Sequence, residues 1–326
     1  MRISVVIPSY NRETFVARTI NSLLAQTRLP EEILVVDDGS QDKTASVIQA
    51  LAERTGGRVR YRHRPNGGLS AARNTGTENA APDSDAVLFL DSDDLLVPTA
   101  LAKLEQALLA QPKACLAFCR ARYINADDQP LIVPNTALVD EPANGDMWKH
   151  LLRGNCIRSA GGVLTRRDAL NAVEPFDETM RSNEDWDMWL RLAQTGSPFA
   201  RVPEPLLLYR IHGDNMSGNR EVMRKTGLRV YEKQLERFAG DAERLAAIRA
   251  GRDVYLERDS YDAHMVAQYM LAPTGETGIS YDAASQRKHR EIRTIIERTG
   301  IANLYRRTPM AWRLRLRVLF GIDPNA

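Results

Sequence analysis

Four apolar runs of strand length fall within the first hundred residues, and segments with helical patterning separate them. They are "ISVVIPSYN" from Ile3, "EEILVVDDGS" from Glu31, the thinner "VRYRHR" from Val59 and "DAVLFLDSDD" from Asp85. Strands spaced by helices predict a mostly parallel α/β sheet with helices on both faces. Three of the runs stop at polar groups: Ser9-Tyr10-Asn11, Asp37-Asp38 and Asp91-Ser92-Asp93. Like charges packed this closely repel, and a carboxylate drawn inward loses hydration. An open parallel sheet resolves the conflict, because ligands collect at the carboxyl ends of its strands. The acids are expected at that mouth.

Composition limits the alternatives. The chain has 326 residues, 43% hydrophobic and 26% charged, with a formal net charge of +2, which makes no case for a nucleic-acid partner. Cys115, Cys119 and Cys156 form no paired framework, which suits a reducing compartment, and they are too few for a structural zinc site. Pro8 and Ser9 interrupt the N-terminal apolar run before a signal segment is complete, and no run reaches the roughly 18 apolar residues of a membrane span. A cytoplasmic protein is expected, with peripheral membrane contact as a variant.

The chemistry-bearing residues each admit two readings. Asp91 and Asp93 could share a divalent cation of the Mg²⁺ or Mn²⁺ type, or form an acidic turn before a helix. In Asp37-Asp38-Gly39-Ser40, one acid could accept from a base or ribose, or Ser40 could cap the next helix. Asn66-Gly67-Gly68 ahead of Arg73 and Asn74 suits an anion, with Arg73 offering a bidentate contact, or is a plain turn. Glu184 and Asp185 precede an apolar helix bearing Trp186 and Trp189. They are first-turn acids favoured by the helix dipole, or a general base beside an aromatic wall. His212 with Asn215 could touch a metal or phosphate, or be structural.

Taken together, the pieces resemble family 2 glycosyltransferases of the GT-A fold over about the first 215 residues. The matching segments, in order, are "VVIPSYNR", "VVDDGSQDKT", "NGGLSAARNTG", "FLDSDD", "NEDWDMWLRLA" and "YRIHGDNMS". The resemblance implies a Rossmann-like, mostly parallel sheet and an inverting, cation-dependent transfer of sugar from a nucleotide diphosphate sugar to a hydroxyl. It implies Pro8, Tyr10 and Asn11 in the nucleoside pocket and Asp38 on a pyrimidine base. Arg73 would hold the nucleotide beside Asp91 and Ser92, with Asp93, Asp91 and His212 at the metal. Asp185 would be the base, and Glu184 and Trp186 would lie on the acceptor side. Asn183 departs from the pattern, since glycine is common there. UDP sugars are the first expected donors and dTDP sugars the second; the acceptor would be a glycan or lipid-linked, as in bacterial surface polysaccharide or lipopolysaccharide synthesis.

Two rivals remain at this level: a sugar nucleotidyltransferase, and a non-catalytic binding descendant. The absence of glycine in "VVIPSYNRET" counts against the first, and Asp93 with Asp185 against the second. The expected division is a transferase domain over 1–217, with a nucleotide-binding half (1–98) and an acceptor half (99–217), then a helical region over 218–326. Helices are expected near 220–239, 241–272 and 280–299. The tail 304–326 alternates Arg306, Arg307, Arg313, Arg315 and Arg317 with Trp312, Leu314, Leu316, Leu319 and Phe320. It reads as an interfacial helix on anionic lipid, or as a docked helix with snorkelling arginines. A homo-oligomer is compatible with either.

Overall fold

A computed structural model describes residues 1–131, 146–213 and 215–271, with side chains to Leu256 except Arg220. The expected helix at 280–299 and the tail 304–326 lie outside the described residues. Two compact units are present, Met1–Leu256 and Glu257–Ala326; of the second, only a helical backbone to Leu271 is described.

The first unit opens as the sequence predicts: β1 (Ile3–Ser9), α1 (Val16–Leu24), β2 (Glu32–Asp37), α2 (Thr44–Arg54), β3 (Val59–His63), α3 (Leu69–Asn79) and β4 (Ala86–Phe89). All four strands are parallel, in the order β3-β2-β1-β4. Alternation within β1 sends Val5 and Ile7 to one apolar cluster and Val6 to another, so both faces are covered. Helix α1 buries Val16, Thr19, Ile20 and Leu23, one stripe at helical spacing. Gly76 lets α3 lie directly on β1, because a Cβ there would run into the Val6 side chain.

The chain continues through β5 (Leu95–Leu96), α4 (Ala100–Ala110), β6 (Leu116–Ile124), β7 (Pro130–Leu131), α5 (Met147–Leu151), β8 (Val163–Arg166), α6 (Arg167–Asn171), α7 (Glu184–Ala193) and β9 (Phe199–Arg210). The sheet extends as β4-β8-β6-β9-β5, with β7 on β6. Strand β8 runs antiparallel to both β4 and β6. Helical patterning in "GGVLTRRDALNAV" hides a strand: Val163 to Arg166 is β8, and the helix begins at Arg167. Four residues between two partners are too few to show a period. Strand β9 carries Pro203 and Pro205, which ordinarily argue against a strand; the register slips where β6 passes Arg120, and the prolines are absorbed there.

Helices α8 (Arg220–Arg237) and α9 (Ala242–Leu271) follow. Tyr231 of α8 is buried, donates to the Leu152 carbonyl (2.7 Å) and packs edge-on to Trp186 at 5.4 Å. Trp148 donates to Gln234 (3.1 Å). No described helix is long and apolar enough to cross a membrane.

Candidate active site

A cavity of about 420 Å³ opens at the carboxyl ends of β1, β2 and β4, lined in part by Pro8, Tyr10, Asp38, Asp91, Asp93 and Asp185. A larger hollow of about 940 Å³, between Trp148, Phe199 and Arg244, contains none of the residues predicted from sequence. Chemistry follows the functional groups, so the smaller cavity is the candidate site.

The β2 end is built first. Asp37 accepts from Tyr61 Oη (2.8 Å) and the Ser40 amide (2.9 Å). Asp38 accepts from the Gly67 amide (3.0 Å), the Gly68 amide (2.7 Å) and the Arg64 guanidinium. The glycine turn thus wraps a carboxylate of its own chain, and Asp38 is clamped at the cavity wall. Gly39 at φ +79° brings the turn against Asn66, where a Cβ would sit 2.9 Å from the backbone nitrogen. Ser40 does not cap α2 as expected: its Oγ accepts from the Asn11 amide (3.0 Å), and Asp42 Oδ1 takes the Thr44 amide (2.9 Å). Asn11, at φ +50°, accepts from the Gln41 amide (2.8 Å). It ties the β1 loop to the β2 loop, while Pro8 and Tyr10 face the cavity.

At the β4 end the acids are separated by assigned partners. Arg73, 2% exposed, donates to Asp91 (2.8 Å) and to Glu184 (2.5 Å). Arg73, expected to hold the nucleotide, lines the cavity and also bridges the β4 end to α7. Ser159 also donates to Asp91 (3.3 Å). Asp93 Oδ2 meets Arg12 Nε (3.1 Å) and His212 Nε2 (3.0 Å), and Phe15 stacks on the His212 ring at 5.0 Å. Ser92 lies within this turn, its carbonyl accepting from Thr19 Oγ1 (2.9 Å). Beneath it Arg210, fully buried, donates through Nε to the Asp93 carbonyl (2.6 Å) and through its amide to Asp94 Oδ1 (2.8 Å).

These partners set the charge states. Burial would raise Asp93, but the His212 hydrogen bond and the Arg12 charge outweigh it and hold the carboxyl below its usual range. Asp94 moves the other way, pushed well up by burial and then by Asp93 and Asp91. Asp91 is raised by burial against the opposing pull of Arg73. Asp185 lies half-buried at the start of α7, where Asn155 Nδ2 approaches Oδ1 at 3.4 Å. Burial, reinforced by the neighbouring Glu184 charge, raises Asp185 to about 7. A carboxylate poised near neutrality is suited to taking a proton.

The structure therefore brings Pro8, Tyr10, Asp38, Asp91, Ser92, Asp93, Glu184 and Asp185 to one cavity, with His212 against Asp93. Trp186 is not an acceptor wall; it is 1% exposed, and its indole donates to the Leu151 carbonyl (2.9 Å) inside the core. Arg12, Asn155, Ser159 and Arg210 were missed. Arg12 and Arg210 stand inside recognisable motifs, but a lone arginine carries no spacing rule that says it turns inward. Asn155 and Ser159 precede β8, the strand that was also missed.

A family model described as "Glycosyl transferase family 2" matches residues 4–173. An uncharacterized glycosyltransferase of Nostoc sp. is 27% identical over 276 residues, covering 80% of this chain and 83% of its own. Chondroitin synthase of Pasteurella multocida is 28% identical over 239 residues, 72% of this chain but 23% of the synthase. Among solved structures, S. aureus TarS 1-349 in complex with UDP-GlcNAc superimposes with a TM-score of 0.59 at 19% identity, covering 90% of this chain and 79% of that one. That likeness is one of fold, and the fold is GT-A.

Proposed function

The chain belongs to glycosyl transferase family 2, and on that premise we propose that it moves a sugar from a UDP sugar to a hydroxyl of a glycan or lipid-linked acceptor, with inversion. The observation that carries this reading is the juxtaposition in one cavity of an ionised Asp93 and a half-buried Asp185 raised to about 7. A UDP donor is supported by the fold shared with a protein solved with UDP-GlcNAc, and by Asp38 at the end of β2. A dTDP sugar is the second candidate.

The donor set fits a divalent cation. Asp91 and Asp93 present hard oxygens to the cavity, and both side-chain partners of Asp93 engage the same oxygen, Oδ2. His212 Nε2 stands beside it. Among the described residues no group of three ligating side chains is already gathered. Asp93, with Asp91 and His212 adjacent, would hold a Mg²⁺ or Mn²⁺ ion; when bound, that ion supplies positive charge to a leaving diphosphate.

The chain's own residues do the rest. Asp185 accepts the acceptor hydroxyl proton as that oxygen bonds to the anomeric carbon and the bond to the diphosphate oxygen breaks. Asn155 orients the Asp185 carboxylate, and Arg73 fixes Glu184 and Asp91 on either side. Arg12 and His212 offset negative charge at Asp93.

The test is melting temperature with UDP, dTDP, GDP and CDP, each with Mn²⁺ or with EDTA, on wild type and Asp93→Ala. Native-state binding raises the midpoint by mass action. A Mn²⁺-dependent rise with UDP that is lost in Asp93→Ala is expected. A rise insensitive to EDTA and to the substitution would refute the placement of the diphosphate, and no rise with any nucleotide would refute the donor class.

A further inference from the structure

Four arginines line the cavity: Arg12, Arg73, Arg158 and Arg181. The first two are committed, Arg12 to Asp93 and Arg73 to Asp91 and Glu184. Arg158 and Arg181 are exposed, and neither has a carboxylate partner among the described residues. The Arg158 guanidinium carbon lies 5.9 Å from the Tyr123 ring centroid, a cation–π contact that holds the group by its face and leaves its in-plane N–H donors at the edge.

Both stand close in the chain to residues at the proposed base. Arg158 lies between Asn155, which reaches Asp185, and Ser159, which reaches Asp91. Arg181 lies four residues before Asp185, in a loop pinned to α8. There Ser182 Oγ and Thr226 Oγ1 stand 2.5 Å apart, and Asn183 Nδ2 donates to the Met223 carbonyl at 2.9 Å. The groups that would meet the diphosphate, Asp93, His212 and Arg12, are held by other elements: the β4 turn, the β9 exit and the β1 loop.

We infer that Arg158 and Arg181 form an anion subsite on the acceptor side of the cavity, so that the acceptor carries a carboxylate or phosphate close to the hydroxyl that is glycosylated. This rests on the reading of the cavity as a transfer site. Five carboxylates already face this space: Asp38, Asp91, Asp93, Glu184 and Asp185. They would repel an anionic acceptor unless cationic groups on its own side offset them. A guanidinium matches either anion through paired N–H donors, and a neutral glycan would leave both groups unused.

The probes are three disaccharides that differ at one end: glucose, glucuronic acid, and glucose 6-phosphate. Calorimetry measures their binding to the full chain with UDP and Mn²⁺ present, and again without nucleotide. At least one charged form is expected to bind about tenfold more tightly than the neutral form to wild type, as two exposed charge-assisted contacts would give. Comparing the two charged forms tells carboxylate from phosphate. Arg158→Gln/Arg181→Gln should reduce the preference to near parity, and Arg158→Lys/Arg181→Lys should restore part of it. Far-UV circular dichroism and the melting midpoint show that each variant is folded, and UDP affinity is read on the same samples. Three results overturn the subsite: no preference in wild type, including no binding of any probe; a preference that survives in the Gln variant; or loss of UDP affinity together with the preference, which would assign the arginines to the donor. Failure of wild type to bind UDP would instead strike the transfer reading, while the nucleotide-free series still scores the anion preference.

Discussion

Asp185, the proposed base, is a residue whose ionisation is costly to the fold. Burial and Glu184 raise it to about 7, so it is protonated over much of the acidic range. A base must be ionised, so kcat/KM should fall about tenfold per unit as pH drops below about 7. Asp185→Asn should lose roughly 10²- to 10⁴-fold in transfer while still binding UDP. Stability has the opposite sign. The unfolded chain ionises Asp185 in the ordinary carboxylate range and the folded chain only near 7, so stability falls as pH rises between them and the full cost stands above about 7. Melting curves should therefore show Asp185→Asn gaining on wild type from pH 4 to 8; a constant difference would refute the shift. Arg73 is the complementary case. Removing it in Arg73→Gln leaves Asp91 and Glu184 as uncompensated neighbours, and breaking a buried pair costs about 3–5 kcal/mol. Denaturant midpoints should report that loss, with Arg73→Lys intermediate. Sequence alone could place Arg73 near phosphate chemistry. It could not show that two acids 93 residues apart in the chain, Asp91 and Glu184, would converge on it.

At the scale of elements, the legible parts were those whose pattern is local. β1, β2, β4 and α3 announce themselves because both sheet faces are apolar and the strand ends are polar. The glycines inside them carry tertiary meaning that a pattern does not show. Gly76 was read as helix, and the structure adds that α3 has no room for a side chain over Val6. Gly76→Val should therefore lower stability by overpacking, about 1–3 kcal/mol. Thermal unfolding checks this, and a variant as stable as wild type would mean that α3 can slide off β1. Asn183 carries a backbone demand of its own: where the pattern commonly has glycine, it sits at φ +58°, a conformation that glycine and asparagine both tolerate. The shared demand is backbone geometry. β8 and β9 were illegible for the converse reason: a four-residue strand and a strand with two prolines are defined by their partners, not by their own sequence.

Across the whole of the first unit, the cavity is built from two halves joined where strand polarity changes. β4 brings Asp91 to the junction from the parallel side, and the loop before β8 brings Asn155 and Ser159 from the other. In the proposed reading donor and base belong to different parts of the sheet, and the side bearing Asp185 is braced by a helix beyond the family match at 4–173. Helix α8 holds the loop ahead of Asp185 through Thr226 and Met223, and holds α7 through Lys233, which reaches Asp187 (3.0 Å) and Asp177 (2.6 Å). Disturbing that brace should separate catalysis from donor binding. Thr226→Val removes the hydroxyl that Ser182 and Asn183 share and keeps the side-chain shape. It should reduce kcat about tenfold, since small misplacements of a base are expensive, and leave UDP affinity near wild type. Equal losses in both would show that α8 supports the fold as one body; a loss in UDP affinity alone would show that the brace serves the donor. Only the split outcome matches a base held from outside the nucleotide-binding half.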